Sequence, residues 1–157
     1  MTTHSTERVL PYSREYIFDL VADVESYPSF LPFWRQARVH SRNGNIYYTD
    51  QEIGMGVVQE HFRTKTVLNY PTAIDVTSSE GLFQKLSIHW DFEPTSEGGC
   101  QIKFIQSWKL RSFLKQQVMG LLLSENSRSV MNAFEKRAVE LYSTRGIQDG
   151  RSVAQQH

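Results

Sequence analysis

Lys85-Leu-Ser-Ile-His-Trp-Asp-Phe-Glu93 alternates without a slip, with Leu86, Ile88, Trp90 and Phe92 on one face and Lys85, Ser87, His89, Asp91 and Glu93 on the other. Successive side chains of a β-strand point to opposite faces, so this run reads as a strand with one buried and one solvated face. Downstream, Cys100, Ile102 and Phe104 keep the habit and lead to Trp108 and Leu110, with Gln106 interrupting the apolar series. Upstream, Val58, Phe62, Leu68 and Tyr70 oppose Gln59, His61, Arg63 and Lys65. Turn signals separate these runs at Asn43-Gly44-Asn45, Gly54-Met-Gly56, Tyr70-Pro71, Glu80-Gly81 and Glu93 to Gly99. Loops this short join antiparallel neighbours, since a parallel crossover needs a dozen or more residues. Residues 35–110 therefore read as a meander of about six strands.

The flanks read differently. Residues 3–12 form a first strand ending at Pro11, and Ser13 has the character of a helix N-cap. Ile17, Leu20, Val21 and Val24 recur at helical spacing, which predicts a short amphipathic helix over 14–23. Pro28 and Pro32 then make residues 26–34 an aromatic-rich turn. After Leu110, residues 112–143 hold no proline and one glycine, Gly120, and Met119, Leu123, Val130, Phe134 and Leu141 fall within a narrow arc. One long helix of roughly 30 residues reaches about 45 Å. Gly146 marks its expected end, leaving a single domain over 1–143 and a polar, disordered tail over 144–157. The start of this helix is apolar all round: Phe113, Leu114, Val118, Met119 and Leu121 to Leu123 exceed what one sheet face buries. Residues 113–123 are thus expected to touch a membrane surface peripherally, a partner, or a second copy in a homo-oligomer.

Composition narrows the class. The chain has 157 residues, which fits one domain with a core of its own. Seventeen Lys and Arg balance seventeen Asp and Glu, so electrostatic steering toward nucleic acid is not the default. A single cysteine, Cys100, excludes an intrachain disulfide and a cysteine-rich zinc site. No apolar run approaches the about 20 residues of a membrane span, and the first residues lack the pattern of a secretory leader. The expectation is a cytoplasmic protein.

A curved antiparallel sheet with one long helix across its concave face is an α+β arrangement. The space between them is either packed solid or left as a cavity, and the pattern leaves both readings open. Phe62, Trp90, Phe92, Phe104 and Trp108 would fill it from the strands, and Val130, Met131 and Phe134 from the helix. Glu60, Thr64 and Thr66 share the face of Phe62, and Gln106 that of Trp108, so polar groups are available to a ligand. Glu60 stands out, because a carboxylate on an apolar face needs a partner or a raised pKa; a solvated strand end is the plainer alternative.

One segment is more specific: Asp19-Leu-Val-Ala-Asp-Val-Glu-Ser-Tyr-Pro-Ser-Phe-Leu-Pro-Phe-Trp34. With Glu60-His-Phe-Arg-Thr-Lys65, residues 80–94, Leu110-Arg-Ser112, Ala133 to Ala138 and Leu141-Tyr142, it resembles the START-like polyketide cyclase/dehydrase family. Within that family it is similar to the coenzyme Q-binding proteins and their RatA-type and oligoketide-cyclase-labelled bacterial relatives. The resemblance implies a helix-grip fold around an apolar cavity and a hydrophobic ligand such as ubiquinone, another isoprenoid or a lipid. It further implies a supporting role in respiration or quinone biosynthesis, with peripheral contact at the inner membrane. Carried over to this chain, the ligand-binding candidates are Phe30, Leu31, Pro32, Phe33 and Trp34 in the turn, with Glu60, Phe62, Trp90 and Trp108 from the strands. Met119, Leu123 and Val130 would close the opposite wall. Trp34 and Trp108 depart from the family pattern, and their bulk is expected to narrow the pocket or its mouth.

Catalytic motifs are not evident. No two histidines stand at the spacing of a zinc-binding helix, there is no nucleophile elbow, and Gly54-Met-Gly56 is a hairpin turn. The expected role is non-catalytic, with no cofactor and no metal. Two alternatives stay open. A RatA-type toxin would bind the ribosome through basic clusters such as Arg35, Arg38, His40 and Arg42, or Lys109, Arg111 and Lys115. A polyketide cyclase or aromatase would need an acid or base in the cavity, for which Glu60 is the candidate.

Overall fold

The computed structural model describes residues 2–112 and 126–155. The chain runs β1 (Thr2–Leu10), α1 (Arg14–Ala22), a 3-10 helix (Val24–Ser29), β2 (Trp34–Asn43), β3 (Ile46–Met55) and β4 (Val58–Asn69). It continues through β5 (Ala73–Gly81), β6 (Phe83–Pro94), β7 (Cys100–Leu110) and α2 (Asn126–Gln155). The strands form one antiparallel sheet of seven in the order β1-β7-β6-β5-β4-β3-β2. Six consecutive strands make the expected meander, and β1 joins it by pairing with β7. β1 and β2 are neighbours in sequence but form opposite edges, so α1 and the 3-10 helix carry the chain across the sheet.

Local chemistry explains most boundaries. Ser13 caps α1: its hydroxyl accepts a hydrogen bond from the Tyr16 amide at 3.2 Å, satisfying one of the free N–H groups of the first turn. The buried face of α1 is Ile17, Phe18, Leu20 and Val21. Pro28 sits inside the 3-10 helix, so the turn expected over 26–34 begins in that helix and ends where β2 starts. At Gly81 the backbone has φ +77, and an added Cβ would run into the His61 carbonyl. Only glycine allows the β5–β6 corner to lie this close to β4.

The C-terminal helix corrects one boundary. Its backbone stays helical past Gly146 to Gln155, so Gly146 is not the stop the sequence suggested. An interior glycine costs a helix only about 1 kcal/mol relative to alanine and does not by itself end one. Val130, Met131, Phe134 and Ala138 form the buried stripe of α2, close to the predicted arc. The apolar segment 113–123 lies outside the described residues, and so do Met119 and Leu123.

The buried apolar side chains divide into two clusters. The larger joins α1, α2 and the adjoining parts of β5 to β7 through Phe18, Ile74, Trp90, Phe92, Ile102, Phe104, Val130, Met131 and Phe134 among others. The smaller consists of Ile53, Phe62, Leu82, Phe83, Leu86, Trp108 and Leu110. Trp34 and Ile88, both half-buried, pack against each cluster. A close-packed interior would merge the two, because cores approach crystal density. Here a space separates them.

Candidate functional site

That space is a largely enclosed apolar cavity between the sheet, the α1–β2 connection and α2. Its volume is about 80 Å³. This is well below the roughly 300 to 1,000 Å³ of sites that enclose a drug-sized ligand, so the cavity holds only a small part of such a molecule. Val21, Leu31, Ile53, Ile74, Leu86, Ile88, Val130 and the rings of Phe62, Phe83, Trp90, Phe104, Trp108 and Phe134 supply most of the wall.

Aromatic packing shapes one side. Phe104 lies 4.5 Å from Trp90, and Phe134 from α2 meets Trp90 edge-on at 5.3 Å between ring centroids. Tyr27 and Phe30 pack edge-on against Phe134 at 5.5 and 5.2 Å, bracing it from the turn. The helix, the turn and the sheet are thereby locked around one ring.

Polar groups occupy the wall in two places. On β3 and β4, Trp34 Nε1 donates to Gln51 Oε1 at 2.8 Å, Gln51 Nε2 donates to Thr49 Oγ1 at 2.9 Å, and the Thr49 and Thr64 hydroxyls bond each other at 2.5 Å. Nearby, Tyr47 donates to the Ala22 carbonyl at 2.9 Å, and Thr66 hydrogen-bonds the Tyr47 phenol. Burial pushes the Tyr47 hydroxyl up to about 12, against the lowering influence of Thr66 and Arg42. Burial likewise raises Tyr27, whose hydroxyl donates to the Val21 carbonyl, well above the usual tyrosine value. Both phenols therefore stay protonated at neutral pH and act as structural donors. On β7, Gln106 Nε2 and Trp108 Nε1 are buried and have no hydrogen-bond partner among the described residues.

The structure places the sequence candidates unevenly. Leu31, Trp34, Phe62, Trp90, Trp108 and Val130 line the cavity. Phe30 does not: it packs edge-on against Phe134, and the Arg137 guanidinium lies over its ring at 5.3 Å from the centroid. Pro32 and Phe33 are half-buried but absent from the wall; Phe33 has a left-handed backbone (φ 69), and its carbonyl accepts from the Gly54 amide at 2.9 Å. Glu60 is also off the wall: its register partner Ile53 lines the space, but on β4 the lining begins at Phe62. Met119 and Leu123 fall outside the described residues. Sequence reasoning did not single out Tyr27, Tyr47 and Gln51 for the wall; the alternation Tyr47, Thr49, Gln51, Ile53 on β3 was the available signal.

Comparison with known proteins agrees with this architecture. Residues 10–135 match the family described as polyketide cyclase / dehydrase and lipid transport. The chain is 32% identical over 146 residues to the ribosome association toxin RatA of Rickettsia prowazekii, covering 90% of this chain and 99% of that protein. It is 27% identical over 148 residues to the mitochondrial coenzyme Q-binding protein COQ10 homolog B of Xenopus laevis, covering 92% of this chain and 61% of that protein. In fold it is similar to a START superfamily protein of Mycobacterium smegmatis, with a TM-score of 0.75, 17% identity, and coverage of 88% of this chain and 98% of that one. On the family match and the relatives together, the chain belongs to the polyketide cyclase/dehydrase and lipid transport family, built on the START-like helix-grip fold.

Proposed function

We propose that this chain is a non-catalytic binding protein for a hydrophobic ligand of the isoprenoid quinone or lipid class, held in the cavity beneath α2. The observation that carries the reading is the space itself: an apolar void between two core clusters, walled by rings from sheet, turn and helix. Each methylene moved from water into such a site contributes about 0.8 kcal/mol. The void suits a ring or a few isoprenoid carbons, so a longer tail must extend beyond it. The similarity to a coenzyme Q-binding protein supports a quinone as that ligand. Binding is favoured over cyclisation because, among the described residues, the cavity wall carries no carboxylate, imidazole or amine to move a proton. A supporting role in respiration or quinone biosynthesis, close to a membrane, follows from a quinone cargo. Among the described residues, no helix is long and apolar enough to cross a membrane.

Calorimetric titration with a short-chain ubiquinone tests the reading. Saturable one-to-one binding that weakens when the cavity is filled is expected, and no binding under any condition refutes it.

A second reading is favoured by the 32% identity to a ribosome association toxin. It predicts impaired joining of ribosomal subunits in sucrose gradients at protein excess, and an unchanged profile removes it. Several of the basic groups it would use are already engaged. Arg35 donates to the Gly56 carbonyl at 2.7 Å, Arg38 approaches the Asp50 carboxylate at 4.0 Å, and Arg111 donates to the carbonyls of Ser79, Gly81 and Phe83.

A further inference from the structure

Lys65, Thr77 and Ser87 alternate along their strands with Thr66, Val76 and Ile88 of the cavity wall, so they face the other side of the sheet. On that side lies a groove of about 530 Å³. Its floor is a row of cross-strand partners: Tyr48 pairs with Lys65, Lys65 with Thr77, Thr77 with Ser87, and Ser87 with Ser107. Strands lie about 4.8 Å apart, so the row spans about 19 Å. Between the pairs Arg63–Glu80 and Lys65–Thr77, β5 holds one residue more than β4, and this bulge hollows the surface.

The charge on this face is uneven. Lys65 and Lys85 border the groove, and Lys109 stands directly across from Lys85 on β7. All three are exposed, and none forms an ion pair with a described residue. Like charges directly opposite each other destabilise a sheet. Lysines often guard edge strands against pairing, but β4, β6 and β7 are interior. Arg38, Arg63, Asp50 and Glu80 pair among themselves, and Asp75 and Asp91 bracket His89 at 2.6 and 3.0 Å. Asp91 is about 20 Å along β6 from Lys85, twice the screening length at physiological salt. The lysines therefore lack a counter-ion.

Two rings complete the groove. Tyr48 is 38% exposed, and His40 packs beside it at 6.1 Å between centroids. Unstacked bases bind to exposed aromatic faces set among cations, and hydroxyls such as those of Thr77 and Ser87 can meet a ribose 2′-OH. We propose that this groove binds single-stranded RNA, with Lys65, Lys85 and Lys109 on phosphates and Tyr48 under a base. The groove is independent of the cavity and its ligand, and it gives the ribosome reading a surface without requiring that reading.

Fluorescence anisotropy of a labelled uridine RNA of about ten nucleotides, titrated with the full chain over a range of salt, tests the assignment. Wild-type binding is expected to be saturable and tighter than for the DNA of the same length. Lys65→Gln and Lys85→Gln should each weaken it about threefold to tenfold and lower the slope of log affinity against log salt by about 0.7. Tyr48→Leu should weaken it about fivefold or more with the slope unchanged. Lys103→Gln, beside Asp91 and Glu7, should change nothing. Urea midpoints close to wild type show that the variants are folded. No RNA binding by the wild type, or losses no larger in the groove variants than in Lys103→Gln, would overturn the assignment. Displacement of the RNA by polyglutamate or by phosphatidylserine vesicles as readily as by unlabelled RNA would overturn it too. A chain that binds short-chain ubiquinone but no RNA loses the groove and keeps the cavity.

Discussion

Replacing Val130 by phenylalanine separates a real cavity from a tightly packed core by the sign of its effect. Val130 is 5% exposed and faces the space from α2, one turn before Phe134. Phenylalanine adds four carbons, about 50 Å³ of side chain, to a cavity of about 80 Å³. Cavity volume is worth about 24 cal/mol per Å³, so filling 50 Å³ returns about 1.2 kcal/mol at best. Valine and phenylalanine have similar helix propensities, so the backbone contributes little. The expected outcome is a ligand-free protein as stable as wild type or up to about 1 kcal/mol more stable, a rise of up to about 4 °C in melting temperature. Affinity for an apolar ring ligand should fall at least about tenfold. Urea unfolding of the ligand-free protein and a ligand titration read the two quantities. In a solid core the same change is overpacking and costs about 1 to 3 kcal/mol. A loss of that size with ligand affinity unchanged would refute the reasoning.

Three further outcomes follow from particular side chains. Cys100 is fully buried and its thiol is pushed up to about 11, chiefly by burial, so a thiol reagent at pH 7 should label the native chain negligibly and the urea-unfolded chain fully; prompt native labelling contradicts this. His89 is raised above 6.5, first by its hydrogen bond to Asp75 at 2.6 Å and further by Asp91, with burial opposing. The folded value therefore exceeds the unfolded one, and the stabilisation is complete below about pH 6.5 and is lost as pH rises through the folded value. The stability gap between wild type and His89→Gln should shrink from pH 5.5 to pH 8.5, and a gap that widens is the wrong sign. Gly81→Ala should cost about 2 kcal/mol or more in urea unfolding, because it forces a left-handed alanine against the His61 carbonyl; a neutral result contradicts the tight corner.

Much of the fold was legible because its signals are local. The alternation from Leu86 to Phe92, the glycines at the hairpins and the Ser13 cap each act within a few residues, and the observed register follows them. The end of α2 was less legible, since a lone glycine at Gly146 weakens a helix without fixing its limit. The site was legible by face more than by distance. Period-two reasoning put Phe62, Trp90 and Trp108 on the inner face, where they line the cavity, but Glu60 shares that face and lies beyond the wall. Where a cavity stops along a strand depends on what packs across from it, and no single strand encodes that. The turn shows the same limit. Its motif marked residues 30–34 as a block, whereas only Leu31 and Trp34 reach the space, with Phe33 in a left-handed conformation between them. Whether strand and helix rings would fill the centre was equally a matter of tertiary spacing. Residues of both clusters approach the void, and none closes it.

Native mass spectrometry of the full chain purified from respiring cells tests the central claim most directly. The account predicts a population heavier than the bare polypeptide by one isoprenoid quinone or lipid, released by organic solvent and restored by adding a short-chain quinone. The bare mass alone, from every preparation and after quinone is supplied, would contradict it.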